Sequence, residues 1–193
     1  MNKTKLVNCF LSGRRKSISK YENQTEELQS KVLQKLIHQA IHTEWGQTHG
    51  FAQVNDYNSF TKTSPISTYE ELKGYIDRMR RGEKDVLWSG KVRWDAKSSG
   101  TTNDKSKFIP VSKECLQDTH YRGGTDAVAL YLGQNPRSRM FDGKALILGG
   151  SHSPNYNLPH SLVGDLSAIL IENVSPFVNH FRIPSKEIAL LGD

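Results

Sequence analysis

The sequence lacks any apolar run approaching the roughly 20 residues that a membrane-spanning helix needs, and hydrophobic residues make up only 36% of its 193 positions. It has just two cysteines, Cys9 and Cys115, without a CxxC pair or a Cys/His cluster around either. A disulfide framework is therefore excluded. These absences predict a soluble protein of a reducing compartment, the cytoplasm, with free thiols and no membrane partner.

Acidic residues are missing from the first 20 positions, where six of the chain's 26 basic residues lie. The other 20 basic residues are balanced by 20 acidic ones, so the formal net charge of +6 belongs to the N-terminus. We predict that residues 1–20 form a mobile basic lead-in and that residues 21–193 form the folded domain. A basic nucleic-acid-binding module is the alternative, but the balanced remainder disfavours it, and no nucleic acid is expected as a partner.

The first predicted helix covers residues 26–45, where apolar residues recur at helical spacing. Asn23 is its predicted N-cap and Gly46 its predicted end. Two histidines on this helix have the i, i+4 spacing of a metal pair: His38 and His42. Because no third ligand is near in sequence, we interpret them as a half-exposed flank of the core.

A second helix is predicted from Tyr69 to Arg81. Thr68 and Glu71 form a capping box at its start, and Gly82 ends it. The arginines of its last turn suit the negative end of the helix dipole: Arg78, Arg80 and Arg81.

Strands and helices alternate over the rest of the chain. Residues 85–88, 92–97, 107–111 and 144–148 have strand-like patterns. A helix runs from the cap Ser112 toward Leu132, weakened at Gly123-Gly124, whereas residues 166–174 suit helix or strand equally. The alternation predicts an α/β fold in which a sheet is layered with helices.

Residues 98–110, SSGTTNDKSKFIP, form the most distinctive polar stretch. A phosphate-binding loop needs unobstructed backbone N–H groups, hydroxyl donors and a flexible cation. The residues that offer them are Ser98, Ser99, Gly100, Thr101, Thr102, Lys105 and Lys107. The fingerprints GxxxxGK[ST] and GxGxxG are both absent. On this chemistry alone, a ligand-free polar hairpin and a phosphate-binding loop both remain open.

The stretch SSGTT, followed by Lys107 and Pro110, resembles the phosphate loop of adenylate-forming enzymes, whose general pattern is [ST]SG[ST]TGxPK. The longer spacing to the lysine and the closing Ile109-Pro110 are similar to the plant auxin-responsive acyl-acid amido synthetase family and its bacterial relatives. Other stretches resemble that family too: Pro65-Ile66, Tyr69-Glu70, Gly82-Glu83, Val86-Leu87-Trp88, Phe141-Asp142-Gly143-Lys144 and Gly164-Asp165-Leu166-Ser167. The resemblance therefore runs through nearly the whole chain.

This resemblance implies the N-terminal part of an adenylate-forming, firefly-luciferase-like large domain whose sheet is incomplete. It implies a ligase that uses ATP and Mg²⁺ to join a small carboxylic acid to an amino acid through an acyl-adenylate. The residues that it assigns to the ATP phosphates are Ser98, Ser99, Gly100, Thr101, Thr102 and Lys107. Catalytic residues stay unassigned, and neither the acyl acid nor the amino acid is named by the sequence.

Two departures from the family's pattern bear on activity. Asn103 and Asp104 stand where plant members often have glycine, so a carboxylate lies near the loop; it either helps to hold magnesium or points outward. The family's later Tyr…Ser-Glu and Tyr-Arg-x-Gly-Asp motifs and its mobile C-terminal domain have no counterpart here. We therefore expect an N-terminal fragment that is inactive alone, with a non-catalytic truncated product as the alternative.

A second candidate stretch follows the predicted strand at residues 144–148. Residues 149–152, GGSH, either line an acyl pocket, because ligands of α/β folds gather where strands end, or form a plain turn. Asp165 is predicted to cap a helix rather than to act as a catalytic acid. No GxSxG elbow is present, so a hydrolase triad is not predicted.

Overall fold

The computed structural model describes residues 2–98 and 106–191. Its α-helices, α1 to α10, span Lys3–Phe10, Ser12–Ile18, Thr25–Ala40, Glu44–Thr48, Tyr57–Thr63, Tyr69–Arg80, Arg122–Gln134, Leu166–Asn173, Pro176–Asn179 and Lys186–Ala189. Its strands, β1 to β5, span Trp94–Lys97, Phe108–Val111, Ala145–Leu146, Leu162–Gly164 and Arg182–Ile183. The α/β class predicted from the sequence is confirmed.

The chain divides into two compact units, which we name by what they contain. The terminal unit comprises Met1–Asn23, Lys113–His152 and Asp165–Asp193. The loop unit, whose sequence includes the polar stretch, comprises Gln24–Ser112 and Ser153–Gly164. Each unit is therefore built from segments that are distant in sequence.

The loop unit begins with α3 and α4, where a single helix was predicted. Thr43 separates them, because its Oγ1 donates to the Ala40 carbonyl over 2.7 Å and accepts the Gly46 N–H over 3.0 Å, which caps α4. Gly46 does not end a helix but lies inside α4, where a Cβ would come within 2.0 Å of the Ala40 oxygen. The prediction of one helix reaching Trp45 was wrong because a short break can preserve the apolar pattern.

Helix α6 begins at Tyr69 as predicted and ends at Arg80, one residue before the predicted Arg81. The Thr68 side chain accepts the Glu71 N–H while the Glu71 carboxylate accepts the Thr68 N–H, so both contacts of the capping box are present. Gly82 follows with φ of 95°, a conformation that side chains rarely adopt. By contrast, α3 begins after Gln24 without a side-chain cap, so the predicted Asn23 cap was wrong.

A three-stranded sheet of order β2-β1-β4 carries the polar stretch of the loop unit. β1 and β2 are antiparallel, with Lys97 opposite Phe108, and β1 and β4 are parallel. The strands predicted on either side of the polar stretch are therefore confirmed. The stretch connects two paired strands as a hairpin loop does.

Residues 85–88 form a bend, where a strand was predicted. Asp85 adopts φ of 57° and its Oδ1 accepts the Gly90 N–H over 2.6 Å. Val86 is nevertheless buried, packed in one cluster with Met79 and Val92. The apolar composition of this segment predicted its burial correctly but not its backbone conformation.

In the terminal unit, α1, α2 and α7 pack around a cluster of buried residues, Leu11, Ala129 and Leu132. Residues 3–18, which the sequence placed in a basic lead-in, thus take helical form with one packed side, because Leu11 and its apolar neighbours meet α7. The boundary at residue 20 between a lead-in and a domain stays a prediction. A π-helical stretch, Cys115–Tyr121, leads into α7, and Gly123-Gly124 lies within α7 without breaking it.

The terminal unit also contains the parallel strand pair β3–β5, with Ala145 opposite Arg182. The sequence pattern of residues 144–148 predicts a strand of the buried type, and β3 lies within that range. Its burial was predicted wrongly, since Leu146 and Leu148 are 67% and 78% exposed; a short apolar run does not show which segment covers it. Residues 166–174, which suited helix or strand, contain α8.

Candidate phosphate-binding site

Ser98 and Lys107 add one more residue pair to the antiparallel pairing of β1 and β2, at the base of the polar stretch. The Ser98 N–H donates to the Lys107 carbonyl over 2.9 Å, and the Lys107 N–H donates to Ser98 Oγ over 3.3 Å. Two of the six predicted phosphate-binding residues are thus brought together, although nine positions separate them. The other four, Ser99, Gly100, Thr101 and Thr102, lie outside the described residues, as do Asp104 and Lys105.

The Ser98 hydroxyl can serve the backbone and a ligand at once. Its oxygen accepts the Lys107 N–H, and its own O–H proton is not used by that bond. A hydroxyl held in this way is oriented by the strand pair and still has a proton to donate. This geometry suits a ligand with acceptor oxygens, such as a phosphate.

Tyr69, the first residue of α6, contacts the end of the polar stretch that carries Lys107. The Phe108 N–H donates to the Tyr69 hydroxyl over 3.0 Å. The Lys107 ammonium lies 5.3 Å from the centroid of the same Tyr69 ring, within the range of a cation–π contact. Because Tyr69 follows the Thr68 cap directly, the capping box fixes where this ring stands.

A buried ionic cluster lies beneath the same sheet. Asp95 of β1 is 2% exposed; its Oδ2 accepts the Ser161 hydroxyl proton over 2.5 Å and lies 3.7 Å from Arg80 Nε. Burial raises the pKa of Asp95, while the Ser161 hydrogen bond and the Arg80 charge act in the opposite direction. The cluster anchors β1 two residues before Lys97, close to the base of the polar stretch.

Sequence reasoning missed this cluster. From the sequence, Arg80 was interpreted as a cation that suits the negative end of the helix dipole. Asp95 was interpreted only as a polar residue of the predicted strand at residues 92–97. Arg80 nevertheless stands four residues after Ile76 and next to Met79, both buried at 4% exposure. Its position on the buried face of α6 was the signal that could have identified it.

The stretch 149–152 lies against the start of α8 in the terminal unit. The Gly150 N–H donates to Ser167 Oγ over 2.7 Å, and the Ser151 N–H donates to Asp165 Oδ2 over 3.2 Å. Asp165 occupies the N-cap position as predicted, but its carboxylate serves Ser151 and makes no cap hydrogen bond to the helix. Whether this turn lines an acyl pocket stays a prediction.

Two arginines of the N-terminal segment make hydrogen bonds to other residues of the terminal unit. Arg14 Nε and Nη2 donate to the two oxygens of Asp126 over 2.5 and 2.7 Å, and this pairing raises the Arg14 pKa. Arg15 Nη1 donates to Asn8 Oδ1 over 2.8 Å. These contacts give two of the six N-terminal cations a structural role, which weakens the nucleic-acid alternative.

Residues 2–98 and 106–191 contain neither a cluster of metal-ligating side chains nor a helix that could span a membrane. No three His, Cys, Asp or Glu side chains in these ranges are grouped closely enough to hold a metal ion. Over the same residues, no helix is both long and apolar enough to cross a membrane.

Comparison with known proteins gives sequence relatives of one kind. A family model described as the GH3 family N-terminal domain matches residues 14–191. The jasmonoyl–L-amino acid synthetase JAR6 of Nicotiana attenuata is 32% identical over 108 residues, which cover 54% of this chain and 19% of that protein. The indole-3-acetic acid-amido synthetase GH3.15 of Arabidopsis thaliana is 32% identical over 93 residues, or 48% of this chain and 16% of that protein.

Solved structures share the fold. A GH3.15 acyl acid amido synthetase superposes with a TM-score of 0.72 at 21% identity, covering 100% of this chain and 32% of that chain. A structure of AtGH3.15 in complex with 2,4-DB superposes with a TM-score of 0.62 at 24% identity, covering 80% and 27%. The present chain thus spans less than half the length of the proteins that it matches. Since the family model covers residues 14–191, this protein belongs to the GH3 family.

Proposed function

We propose that this chain provides the phosphate-binding part of an ATP-dependent acyl-acid amido synthetase. The observation that carries the proposal is the Ser98–Lys107 pair, which joins a hydroxyl and a lysine at the base of a loop rich in Ser, Gly and Thr. The family membership and the amido synthetase names of the relatives support the same reaction class.

The proposed reaction has two steps. A carboxylate oxygen of the acid attacks the α-phosphorus of ATP, the bond to the bridging oxygen breaks, and pyrophosphate leaves. The amine of an amino acid then attacks the acyl carbon, loses a proton, and AMP leaves with the oxygen that linked it to the acid. An amide remains, so ATP supplies the free energy for its formation.

The loop would act in the first step by position and charge. Ser98, Ser99, Thr101 and Thr102 would donate hydroxyl protons to phosphate oxygens, and Gly100 would let the backbone approach them. Lys107 would offset the charge that shifts onto the departing pyrophosphate. Groups held in place before the reaction stabilise such charge without reorganising.

Magnesium would enter with the nucleotide. Mg²⁺ prefers oxygen ligands and keeps several of its waters, so it commonly binds to phosphates with few protein ligands. The described residues hold no cluster of three acidic or histidine ligands, which suits an ion brought by ATP. Whether Asp104 contributes an oxygen stays a prediction.

The substrates are proposed by class only, as a small carboxylic acid and an amino acid. The relatives named above are amido synthetases of jasmonate and indole-3-acetate, but they are much longer than this chain. We propose that this chain alone binds nucleotide without completing the reaction, and that the protein works in the cytoplasm.

Titration of MgATP into the 193-residue chain tests the proposal, with folding checked by circular dichroism. We expect saturable binding that a Lys107→Ala, Ser99→Ala double variant loses. Lys91→Ala, an exposed lysine of the loop unit, removes the same charge away from the loop and should bind like the wild type. Equal weakening in both variants, or no binding by a folded wild type, would contradict the proposal.

A further inference from the structure

The peptide group between Lys107 and Phe108 is hydrogen-bonded at both of its ends. Its carbonyl accepts the Ser98 N–H over 2.9 Å, and its N–H donates to the Tyr69 hydroxyl over 3.0 Å. A peptide group that is held at both ends cannot rotate freely. Tyr69 therefore helps to fix the backbone from which the Lys107 side chain extends, although it lies nearly forty positions earlier in the chain.

The strand register explains why the Phe108 N–H needs a partner from outside the sheet. Ser98 and Lys107 form a hydrogen-bonded pair, and such pairs alternate with pairs that lack these bonds in antiparallel strands. The Phe108 N–H therefore points away from β1, and β2 is an edge strand of the order β2-β1-β4. Because Pro110 has no N–H, the Phe108 N–H is the outward donor of β2. Tyr69 satisfies this donor.

The ring of the same tyrosine faces the Lys107 ammonium, at 5.3 Å from Nζ to the centroid. Within residues 2–98 and 106–191, no carboxylate forms an ion pair with Lys107. The neighbouring carboxylate of Glu71 is occupied, because it accepts the N–H and the hydroxyl proton of Thr68 over 2.6 and 2.9 Å. A ring face orients a cation without cancelling its charge. The Lys107 charge thus stays available to an anion.

Tyr69 is itself held in place by the start of α6. The capping box of Thr68 and Glu71 fixes the first turn, in which Tyr69 is the first helical residue. The Tyr69 side chain is half-buried. Its hydroxyl and its ring are therefore presented to β2 by a backbone that is already ordered.

We propose that Tyr69 is a positioning residue of the phosphate site, which acts through Lys107. Its hydroxyl fixes the backbone at Lys107, and its ring restricts where the ammonium lies. The proposal rests on the proposed function, because it takes the same phosphate as the ligand of Lys107. A lysine side chain that is already restricted loses less conformational entropy when it binds an anion. Tyr69 therefore adds affinity for the nucleotide without touching it.

MgATP binding to five proteins tests the role: the wild type, Tyr69→Phe, Tyr69→Leu, Lys107→Ala and Tyr57→Leu. We expect Tyr69→Leu to weaken binding about three- to tenfold. Tyr69→Phe should lose less, since it keeps the ring and lacks only the hydroxyl. Tyr57→Leu removes a 68% exposed ring of α5 in the same unit and should bind like the wild type. Melting temperatures of all five show which variants stay folded.

Proton NMR of the ligand-free chain gives a readout that a merely structural role would not move. The Tyr69 ring current shifts the resonances of the Lys107 ε-protons, which the Lys107→Ala spectrum identifies. We expect Tyr69→Phe to retain this shift and Tyr69→Leu to lose it. Lys107 ε-proton resonances that are the same in the wild type and Tyr69→Leu would overturn the orienting role of the ring.

The outcomes separate the two proposals. If Lys107→Ala weakens MgATP while Tyr69→Leu binds like Tyr57→Leu, the positioning role is overturned and the proposed function stands. If Tyr69→Leu fails to fold, the comparison of Tyr69→Phe with the wild type decides, and equal affinities overturn the role of the hydroxyl. A folded wild type that binds no MgATP overturns both proposals.

Discussion

Two buried arginines, one in each unit, meet opposite surroundings. Arg80 of the loop unit is 8% exposed, and its guanidinium reaches a carboxylate, a hydroxyl and a carbonyl: Asp95, Ser161 and Tyr156. A buried charge is tolerated when it is paired and hydrogen-bonded. Arg80 therefore belongs to a satisfied network.

Arg182 of the terminal unit is 3% exposed but lacks such a network. Its Nη1 donates to Asn179 Oδ1 over 3.4 Å, while Nε and Nη2 find no acceptor among residues 2–98 and 106–191. In Arg14, by contrast, the corresponding Nε and Nη2 groups donate to both oxygens of Asp126. Burial of an arginine therefore does not by itself stabilise a fold; the partners of its guanidinium decide whether it does.

The same substitution at both arginines gives the largest expected difference. Arg80→Met leaves Asp95 buried without its cation and should lower the free energy of unfolding by about 3–5 kcal/mol. Arg182→Met replaces an unsatisfied guanidinium by an apolar chain of similar length and should be neutral or stabilising. Urea unfolding followed by circular dichroism measures both. Similar losses in the two variants would show that the hydrogen-bonded partners of Arg80 contribute no more to stability than the surroundings of Arg182.

Two glycines of the segment that carries Arg80 give a smaller expected difference. Gly82 has φ of 95°, and a Cβ there would stand 2.6 Å from a ring carbon of His160, so Gly82→Ala should destabilise by about 1–2 kcal/mol or more. Gly74 lies within α6 and a Cβ there meets no atom within 4 Å, so Gly74→Ala should stabilise by about 0.5–1 kcal/mol. Thermal melts of the two variants should shift in opposite directions; a common sign would show that the turn after α6 does not constrain Gly82.

Arg78 lies on the same helix as Arg80 but is half-exposed. The pH dependence of stability compares the carboxylates that pair with these two arginines. Arg78 hydrogen-bonds the carboxylates of Glu44 and Glu83, and this holds the pKa of each below the ordinary value of 4.5. Both groups therefore contribute stability above that value which is lost as the pH falls through their lowered pKa values. Burial raises the pKa of Asp95, so its contribution has the opposite sign and declines as the pH rises above its unfolded value.

Arg78→Met should consequently flatten the loss of stability on acidification below about pH 5. Asp95→Asn should steepen it, because the substitution removes the one opposing group among these three. Denaturant unfolding at a series of pH values gives both slopes. An unchanged slope in Arg78→Met would show that the two glutamates bind protons equally in the folded and unfolded states.

Some of these elements could be predicted from the sequence and others could not, for physical reasons. The start of α6 was predictable because the Thr68–Glu71 capping box acts over three residues. The strands around the polar stretch were predictable because side-chain alternation is local. The break at Thr43 was not, since an apolar face can continue from one helix to the next.

The α/β class, the resemblance to the family, and the cap and start of α6 could be read from the sequence, because each depends on patterns of residues close together in the chain. Folding of distant segments against one another is what brings Arg80, Asp95 and Ser161 into one buried cluster and places Lys97 over Tyr156. These contacts join segments tens of residues apart. A local pattern gives the hydrophobicity of a segment, but the segments that fold against it decide which of its charges are buried and which are paired.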